Sequence, residues 1–326
     1  MNLDAQILLV LRNLGGSAIS AADLASQLGV GRSTIAAHVA DLRRHGFDIP
    51  ASPHGGYRLV GTPEYLNADD IVSRLGKPRV VGRDIRVFKE TTSTNDVIEK
   101  LARDGVAEGV VAFAESQTLG RGRLGRRWFS PAGKGLWFSV LLRPKLTPQQ
   151  TTQITVSASV ALARAVETVT GLSPKIKWPN DLLVNGRKVA GILTELAAEQ
   201  DVVRHVVVGI GIDVNIEPHR FPPELKQTAT SLSIEAGHVI DRAELGARIL
   251  RELDDVYSRI MRREFEAVAE EWETKCSTVG KLVVVTIGDR RVRGRAEALN
   301  SEGALLLRTE HGHLESITGG DVIVEK

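Results

Sequence analysis

The sequence predicts an α+β protein of several domains rather than a doubly wound sheet. Three observations carry that expectation. At 326 residues the chain exceeds one ordinary domain and fits two or three. Roughly the first sixty residues show helical periodicity, whereas roughly the last fifty show only short alternating runs broken by turn residues. Between them strand-like and helix-like stretches mix, and an Asn185-Gly186 hairpin signal implies antiparallel neighbours.

Composition narrows the class. A hydrophobic content of 42% with 25% charged residues is that of a globular chain. Lys plus Arg number 42 against 40 acids, so a net charge of +2 gives no global attraction to a polyanion and local patches must decide. No run is long enough to cross a bilayer. The start, MNLDAQILLVLRNLGG, has an Asp before a short apolar run and no basic region, which makes a poor secretory signal. The single cysteine, Cys276, excludes an internal disulfide and a thiolate metal cluster, and has no obvious base near it in sequence. The cytoplasm is the expected compartment.

Taken in order, Ile7, Leu8, Leu11 and Leu14 form a helical stripe that Gly15-Gly16 ends. Ser20 is a candidate N-cap for a second helix through Leu24 and Leu28, stopping at Gly29. A third helix carries Ile35, Val39 and Leu42, with Gly46 beyond it. FDIPASPHGGYRLV then reads as two short strands around a Pro/Gly turn. That order predicts a winged helix-turn-helix over residues 1–65, with Arg32, Ser33, Thr34, His38, Arg43 and Arg44 as candidate DNA-contacting residues. Charge leaves a second reading open. Arg12, Arg32, Arg43, Arg44 and Arg58 are matched by Asp4, Asp23, Asp41, Asp48 and Glu64, which also suits a small bundle used for protein contacts or regulation. A neutral domain would need to dimerise to bind DNA tightly.

A break follows at GTPEYLNADD, with further loop signals at GKP, and a central segment spans residues 66–277. Val110 to Phe113 and Leu136 to Leu142 read as buried strands. Residues 148 to 170 read as an Ala/Val/Ile-rich helix closed by Gly171. KIKWPNDLLVNGRKVAGILTEL reads as strands about Asn185-Gly186, and HVVVGIGIDVNI as a strand with glycines at a close approach. Helices are expected over roughly 241–262 and 263–275. Residues 278–326 contain four to five short strands with turns at Gly288-Asp289, Ser301-Glu302-Gly303 and Gly319-Gly320, which suggests a small barrel. There is no internal repeat and no low-complexity tract.

Two stretches carry chemistry. In GRGRLGRRWFSPAGKG, residues 120 to 127 hold Arg121, Arg123, Arg126 and Arg127 among three glycines without one acid. Such a loop is pliable alone. Its glycines let N–H groups converge on an anion, and its arginines offer forked donors to phosphate. A solvated loop and a nucleic-acid patch compete with a ligand lid, but Trp128-Phe129 directly after the arginines favours closure over something part apolar and part anionic. It is not a Walker A motif, and GIGIDVN is weak as a dinucleotide signal. In KWPNDLLVNGRKVAGILTE, Lys188 interrupts an apolar strand, where burial without a partner is costly, although an exposed hairpin lysine is an equal reading.

GRGRLGRRWFSPAGKGLWFS together with KWPND and GRKVAGIL resembles the biotin–protein ligases, and the N-terminal pattern resembles their bifunctional members, which also repress the biotin operon. The resemblance covers essentially the whole chain and implies three domains, the last an SH3-like barrel. It implies that ATP and biotin form biotinyl-5′-adenylate, with Mg²⁺ accompanying ATP on ligands the sequence does not name. Biotin then passes to a lysine of the biotin carboxyl carrier protein of acetyl-CoA carboxylase. It also implies an adenylate-promoted homodimer on operator DNA of biotin genes, and no membrane partner. By match to the family motifs, Lys188, Arg123 and Arg121 carry the chemistry. Ser93, Thr94, Asn95, Gln117, Arg121, Gly122, Arg123, Lys188, Gly191, Gly209 and Gly211 contact biotin, the last three glycines leaving room for it. Arg123, Trp128, Asn180, Asp181 and Lys188 contact the adenylate. The TTST stretch also reads as a helix N-cap, and Pro-Asn-Asp as an ordinary turn. One departure stands out: the family loop usually reads GRGRRG, and Leu124 takes the fifth place here. A lipoate-type ligase of related fold, a sensor without transferase activity, and a ligase without DNA binding are the alternatives.

Overall fold

The computed structural model describes residues 1–50 and 56–325, and the chain divides into two compact units, Met1–Lys77 and Pro78–Lys326. In the first, helix α1 (Leu3–Asn13) is capped by the Asn2 side chain accepting from the Ala5 N–H, and buries Ile7, Leu8 and Leu11. A two-residue strand, β1 (Ile19–Ser20), leads to α2 (Ala21–Leu28). Ser20 caps α2 as expected by accepting from the Asp23 N–H, and Gly29 ends it at φ 67°. Helix α3 (Arg32–Arg44) turns Ile35, Val39 and Leu42 into the same core, where Phe47 and Ile49 join them. Each such buried Leu or Ile contributes about 1.5–3 kcal/mol relative to exposure.

The wing differs from the expected hairpin. Asp48 bridges Gly61, but β2 (Gly56–Tyr57) pairs with β1 rather than with the strand after α3. Gly56 is held so close to the Ile19 carbonyl that a Cβ there would sit 2.6 Å from its oxygen. The turn expected at residues 51–55 lies outside the described residues. A further helix, α4 (Ala68–Leu75), occupies what reads as a break, so the first unit runs to Lys77. Asn67 caps it through the Asp69 and Asp70 amides, Ile71 and Leu75 are buried, and Asp70 pairs with Arg12 of α1. Two turns of helix rich in Asp carry too short a pattern to be seen by periodicity alone.

The second unit is built on a seven-stranded mixed sheet. Its members in chain order are β3 (Asp84–Thr91), β4 (Val110–Gln117), β5 (Gly135–Leu142), β6 (Lys175–Lys177), β7 (Asp181–Val184), β8 (Arg187–Glu199) and β9 (Val202–Asp213). Their spatial order is β3-β4-β5-β9-β8-β7-β6, parallel between β3 and β4 and antiparallel elsewhere. The edge strand β3 is not among the expected elements, because its charged residues Asp84, Arg86, Lys89 and Glu90 blur the apolar alternation. Helix α5 (Thr94–Arg103) covers one face, burying Ile98 and Ala102 against Ala112, Leu141 and Val207. On the other face α6 (Thr152–Thr170) packs with α8 (Arg242–Met261) over Val140, Leu142 and Val208. A short α7 (Leu232–Ala236) precedes α8, and α9 (Phe265–Lys275) follows it. The period-2 rule thus sends Val208 to the helices and Gly209, Gly211 and Asp213 to the opposite side.

The last strands are β10 (Leu282–Ile287), β11 (Arg290–Leu299), β12 (Leu305–Thr309), β13 (Leu314–Ile317) and β14 (Asp321–Val324). They form a five-stranded antiparallel sheet in the order β13-β12-β11-β10-β14, with Val283, Val285, Ala296, Leu305 and Leu307 inside. The α+β class, helical start and all-β end are as expected. Cys276 is mostly buried, and burial pushes its thiol pKa up, which suits an inert residue. Among the described residues no helix is long and apolar enough to cross a membrane.

Candidate active site

Beneath the arginine stretch lies a cavity of about 660 Å³. Every residue expected from the biotin and adenylate motifs, from Ser93–Asn95 and Gln117 through Trp128 to Lys188 and the three glycines, lines it. The arginine stretch itself is more ordered than its composition suggests. Arg121 bridges Arg127, the Gly122 N–H donates to the Arg126 carbonyl, and the Arg126 N–H to that of Arg123. Leu124 (φ 56°) and Gly125 (φ 73°) both take the left-handed conformation, which makes a tight hairpin with an exposed Leu124 at its tip.

The arginines then diverge. Arg121 donates to both Glu195 oxygens at 3.0 and 3.1 Å and lies 2.7 Å from Asp96. The Glu195 hydrogen bond, more than burial opposes it, holds its pKa up. Arg123 donates to the Asn180 side chain at 3.1 Å and to the Gly320 carbonyl at 3.3 Å; burial lowers its pKa, with Asp321 and Asp181 opposing. Arg126 pairs with Asp321 through both Nη atoms. All remain cations, as guanidinium does in proteins.

The floor is a cross-strand glycine pair. Gly191 of β8 faces Gly211 of β9, and the Trp128 indole fills the space before both: a Cβ on Gly211 would lie 2.5 Å from it, and one on Gly191 2.9 Å. Before Gly209 stands the Asn95 carboxamide, 2.2 Å from a built Cβ. In this structure these glycines make room for the Trp128 and Asn95 side chains. The Trp128 Nε1–H is buried without an acceptor among the described residues, and the indole packs edge-on to Trp137 at 6.4 Å.

Lys188 is the centre of charge. Its Nζ lies 2.6 Å from Asp181 Oδ1 and 5.1 Å from the centre of the Trp128 ring. Its backbone is clasped by the loop after β9, through the Lys188 N–H to the Thr228 carbonyl and the Thr230 N–H to the Lys188 carbonyl, both 2.8 Å. Asp213 also lines the cavity; burial pushes its carboxyl well above the usual range, opposed by the Lys188 charge. One ammonium therefore faces two acids, and only Asp181 is directly paired to it.

The same cavity carries a hydrogen-bonded network of uncharged side chains that ends on Glu195. The Thr94 hydroxyl meets Ser139 at 2.7 Å, Ser139 donates to Asn95 Oδ1, and Asn95 Nδ2 donates to Glu195 at 2.7 Å. Gln117 accepts from the Thr94 N–H at 2.9 Å and donates to Ser130. Ser93 occupies the N-cap position of α5 but its side chain makes no cap hydrogen bond; Gln117 satisfies the helix instead. The network offers buried donors and acceptors in a row, fit to read a planar group with both.

Sequence reasoning did not assign Ser139, Glu195, Asp96, Asp213, Phe221 or Asp321 to the site, and read Gly320 only as part of a turn. A signal existed for two: Ser139 interrupts the otherwise apolar β5, and Asp213 is an acid directly after the apolar run Val206 to Ile212. Asp96 adjoins the expected Asn95 but carries no mark of its own, and the rest come from distant segments. Among the described residues no three His, Cys, Asp or Glu gather to ligate a metal ion.

The DNA candidates of the first unit divide. Arg32, Ser33 and Thr34 are exposed at the start of α3. His38 instead pairs with Asp4 at 2.7 Å, Arg44 with Asp41, and Arg43 donates to the Ile49 carbonyl at 2.7 Å while covering Tyr57. Those three side chains are engaged within the domain.

Residues 87–213 match the Biotin/lipoate A/B protein ligase family, residues 4–58 an HTH domain, and residues 278–324 the Biotin protein ligase C terminal domain. The bifunctional ligase/repressor BirA of Bacillus subtilis (strain 168) is 38% identical over 94% of both chains, and that of Escherichia coli (strain K12) 31% identical over 93% of this chain and 92% of its own. Among solved structures, the biotin protein ligase from Aquifex aeolicus in complex with biotin and ATP superposes with a TM-score of 0.64 at 30% identity, covering 75% of this chain and 99% of that one.

Proposed function

Because the chain belongs to the biotin–protein ligase family, we propose that it joins biotin to ATP and transfers the acyl group to a lysine of a biotin carboxyl carrier protein. One observation supports this most: Lys188, Arg121, Arg123, Trp128, Ser93, Thr94, Asn95 and Gln117 line one cavity, with Ser139 bonded to Thr94 and Asn95. The network suits the ureido ring of biotin, which carries paired donors beside an acceptor. Lys188, now held by Asp181, exchanges that partner for the biotin carboxylate and the α-phosphate, steadying negative charge on both. A carboxylate oxygen attacks the α-phosphorus and pyrophosphate leaves; Arg121 and Arg123 offset charge on the phosphates. A carrier lysine, once deprotonated, then attacks the acyl carbon and AMP leaves with the bonding pair. Trp128, packed on the glycine floor, is placed to lie against the ligand and exclude water that would hydrolyse the anhydride. Mg²⁺ would arrive on the triphosphate, with most ligands from phosphate and water, and no step here is routed through it.

The test is pyrophosphate exchange into ATP with biotin, lipoate, octanoate or no acid. Exchange dependent on biotin supports the reading. Exchange with lipoate alone would move the chain to a lipoate-type ligase, and none with any acid would leave a sensor.

We further propose that the protein represses biotin-synthesis genes as an adenylate-promoted homodimer in the cytoplasm. Two observations favour it: Arg32, Ser33 and Thr34 are free to face an operator, and β8 from Leu193 to Glu199 pairs only with β9, since β7 reaches no further than Gly191. An unpaired strand edge is a template for a second copy. Two linked readers would compensate for a domain whose basic and acidic residues balance. Analytical ultracentrifugation with and without biotin plus ATP checks this; a monomer under both conditions would sink it.

A further inference from the structure

The third sheet is not remote from the chemistry. Gly320 and Asp321, from its last turn, line the same cavity as Lys188. Both Nη atoms of Arg123 donate to the Gly320 carbonyl at 3.3 Å, and both of Arg126 engage the Asp321 carboxylate. The turn is fitted to this task. Gly320 sits at φ 140° with its Cα so close to β10 that a Cβ would press on the Thr286 carbonyl at 2.8 Å, so the turn that presents its carbonyl to Arg123 requires glycine there. A Cβ on Gly319 would meet Arg123 Nη2 at an ordinary contact distance of 3.4 Å. Two of the four hairpin arginines are thus tied to a sheet some two hundred residues further along the chain.

We propose that this turn is a latch: Asp321 and Gly320 are positioning residues that hold the arginine hairpin shut over the acyl-adenylate and so set how long it is retained. The inference rests on the adenylate-forming reading above. When the latch opens, water adds to the acyl carbon, the bond from that carbon to the phosphate oxygen breaks, AMP departs with the electron pair, and a proton goes to solvent. Biotin and AMP are lost without transfer. The latch is a partly exposed ion pair with a backbone clasp, so its rupture changes retention by a modest factor rather than abolishing chemistry.

The readout is the ratio of AMP released without carrier, with pyrophosphatase present, to pyrophosphate exchanged in its absence. Asp321→Asn, which keeps shape and removes charge, is expected to raise that ratio about two- to fivefold, as loss of an exposed pair allows. Asp321→Glu is expected to restore it. The exchanged pair Arg126→Asp with Asp321→Arg is expected to leak less than either single change, a coupling that a merely stabilising role would not give. An unchanged ratio in Asp321→Asn, or an exchanged pair no better than its singles, overturns the latch. Absence of biotin-dependent exchange in the wild type would instead overturn the underlying reading, and the two failures are distinguishable.

Discussion

Two groups of arginines stand out in this chain, one in the hairpin from Arg121 to Arg127 and one on α3 from Arg32 to Arg44, and the structure uses them differently. In the hairpin, Arg121, Arg123 and Arg126 all line the cavity and all have partners: Asn180, Gly320 and Asp321, which line it too, for Arg123 and Arg126, and Glu195 and Asp96 for Arg121. These bonds can be traded for a bound anion. On α3, Arg43 and Arg44 also have partners, but these are the Ile49 carbonyl and Asp41 one turn away, both within the first unit. Those bonds hold the domain together. An arginine's function is therefore read from where its partner stands, not from its count in a basic run.

The sharpest way to break this comparison is to remove one arginine from each group. Arg123→Gln is expected to lower biotin-dependent pyrophosphate exchange by about 10²-fold, the usual cost of one charge-stabilising donor, with thermal unfolding little changed. A loss of stability matching the loss of activity would contradict the exchangeable role. On α3 the expected effects separate. Arg32→Ala weakens operator binding and lowers the salt slope by about one, while Arg43→Ala lowers stability by about 1 kcal/mol and leaves the slope alone. A gel shift across a salt series together with a thermal melt distinguishes the two, and equal slopes for both variants would erase the contrast.

Smaller effects sharpen it. The Asp213 carboxyl is raised by burial, so the folded state keeps the proton that the unfolded chain gives up. Stability from the neutral form is full below the ordinary carboxylate value of 3.8 and declines as pH rises from there toward the folded value. Asp213→Asn should therefore raise the melting temperature at neutral pH, with the gain vanishing in acid; a gain independent of pH would place the cause elsewhere. The smallest effect is expected at Leu124, an exposed leucine at φ 56°. Leu124→Asn, which tolerates that conformation, should stabilise by about 0.5–1 kcal/mol and slow proteolysis of the hairpin. Faster cleavage would show that Leu124 is held by something other than backbone geometry.

Legibility in the sequence followed locality. Lys188, Asp181, Gly191 and the arginines lie within short motifs whose residue types announce themselves, and they meet as expected. Helix α4 and strand β3 were not legible, because Asp69, Asp70, Asp84 and Arg86 interrupt the apolar period that reveals an element. The acids that receive the arginines were not legible either. Glu195 and Asp321 are ordinary surface-type residues in sequence and become site residues only because β8 and the last turn of the third sheet are folded beside the hairpin. Gly211 was visible as a close approach and Gly191 only through the family resemblance, but only the register that sets them opposite each other shows that it is the Trp128 indole that approaches.

The measurement that bears most directly on the exchangeable-partner account is biotin-dependent pyrophosphate exchange in Lys188→Ala, with unfolding followed on the same protein. Lys188 touches Asp181, Trp128 and the cavity at once. The account predicts a loss of about 10²-fold or more with a folded protein, since the ammonium acts on charge that develops only during the reaction. Exchange at the wild-type rate in the variant would contradict it, leaving the Lys188–Asp181 pair as a structural contact and nothing more.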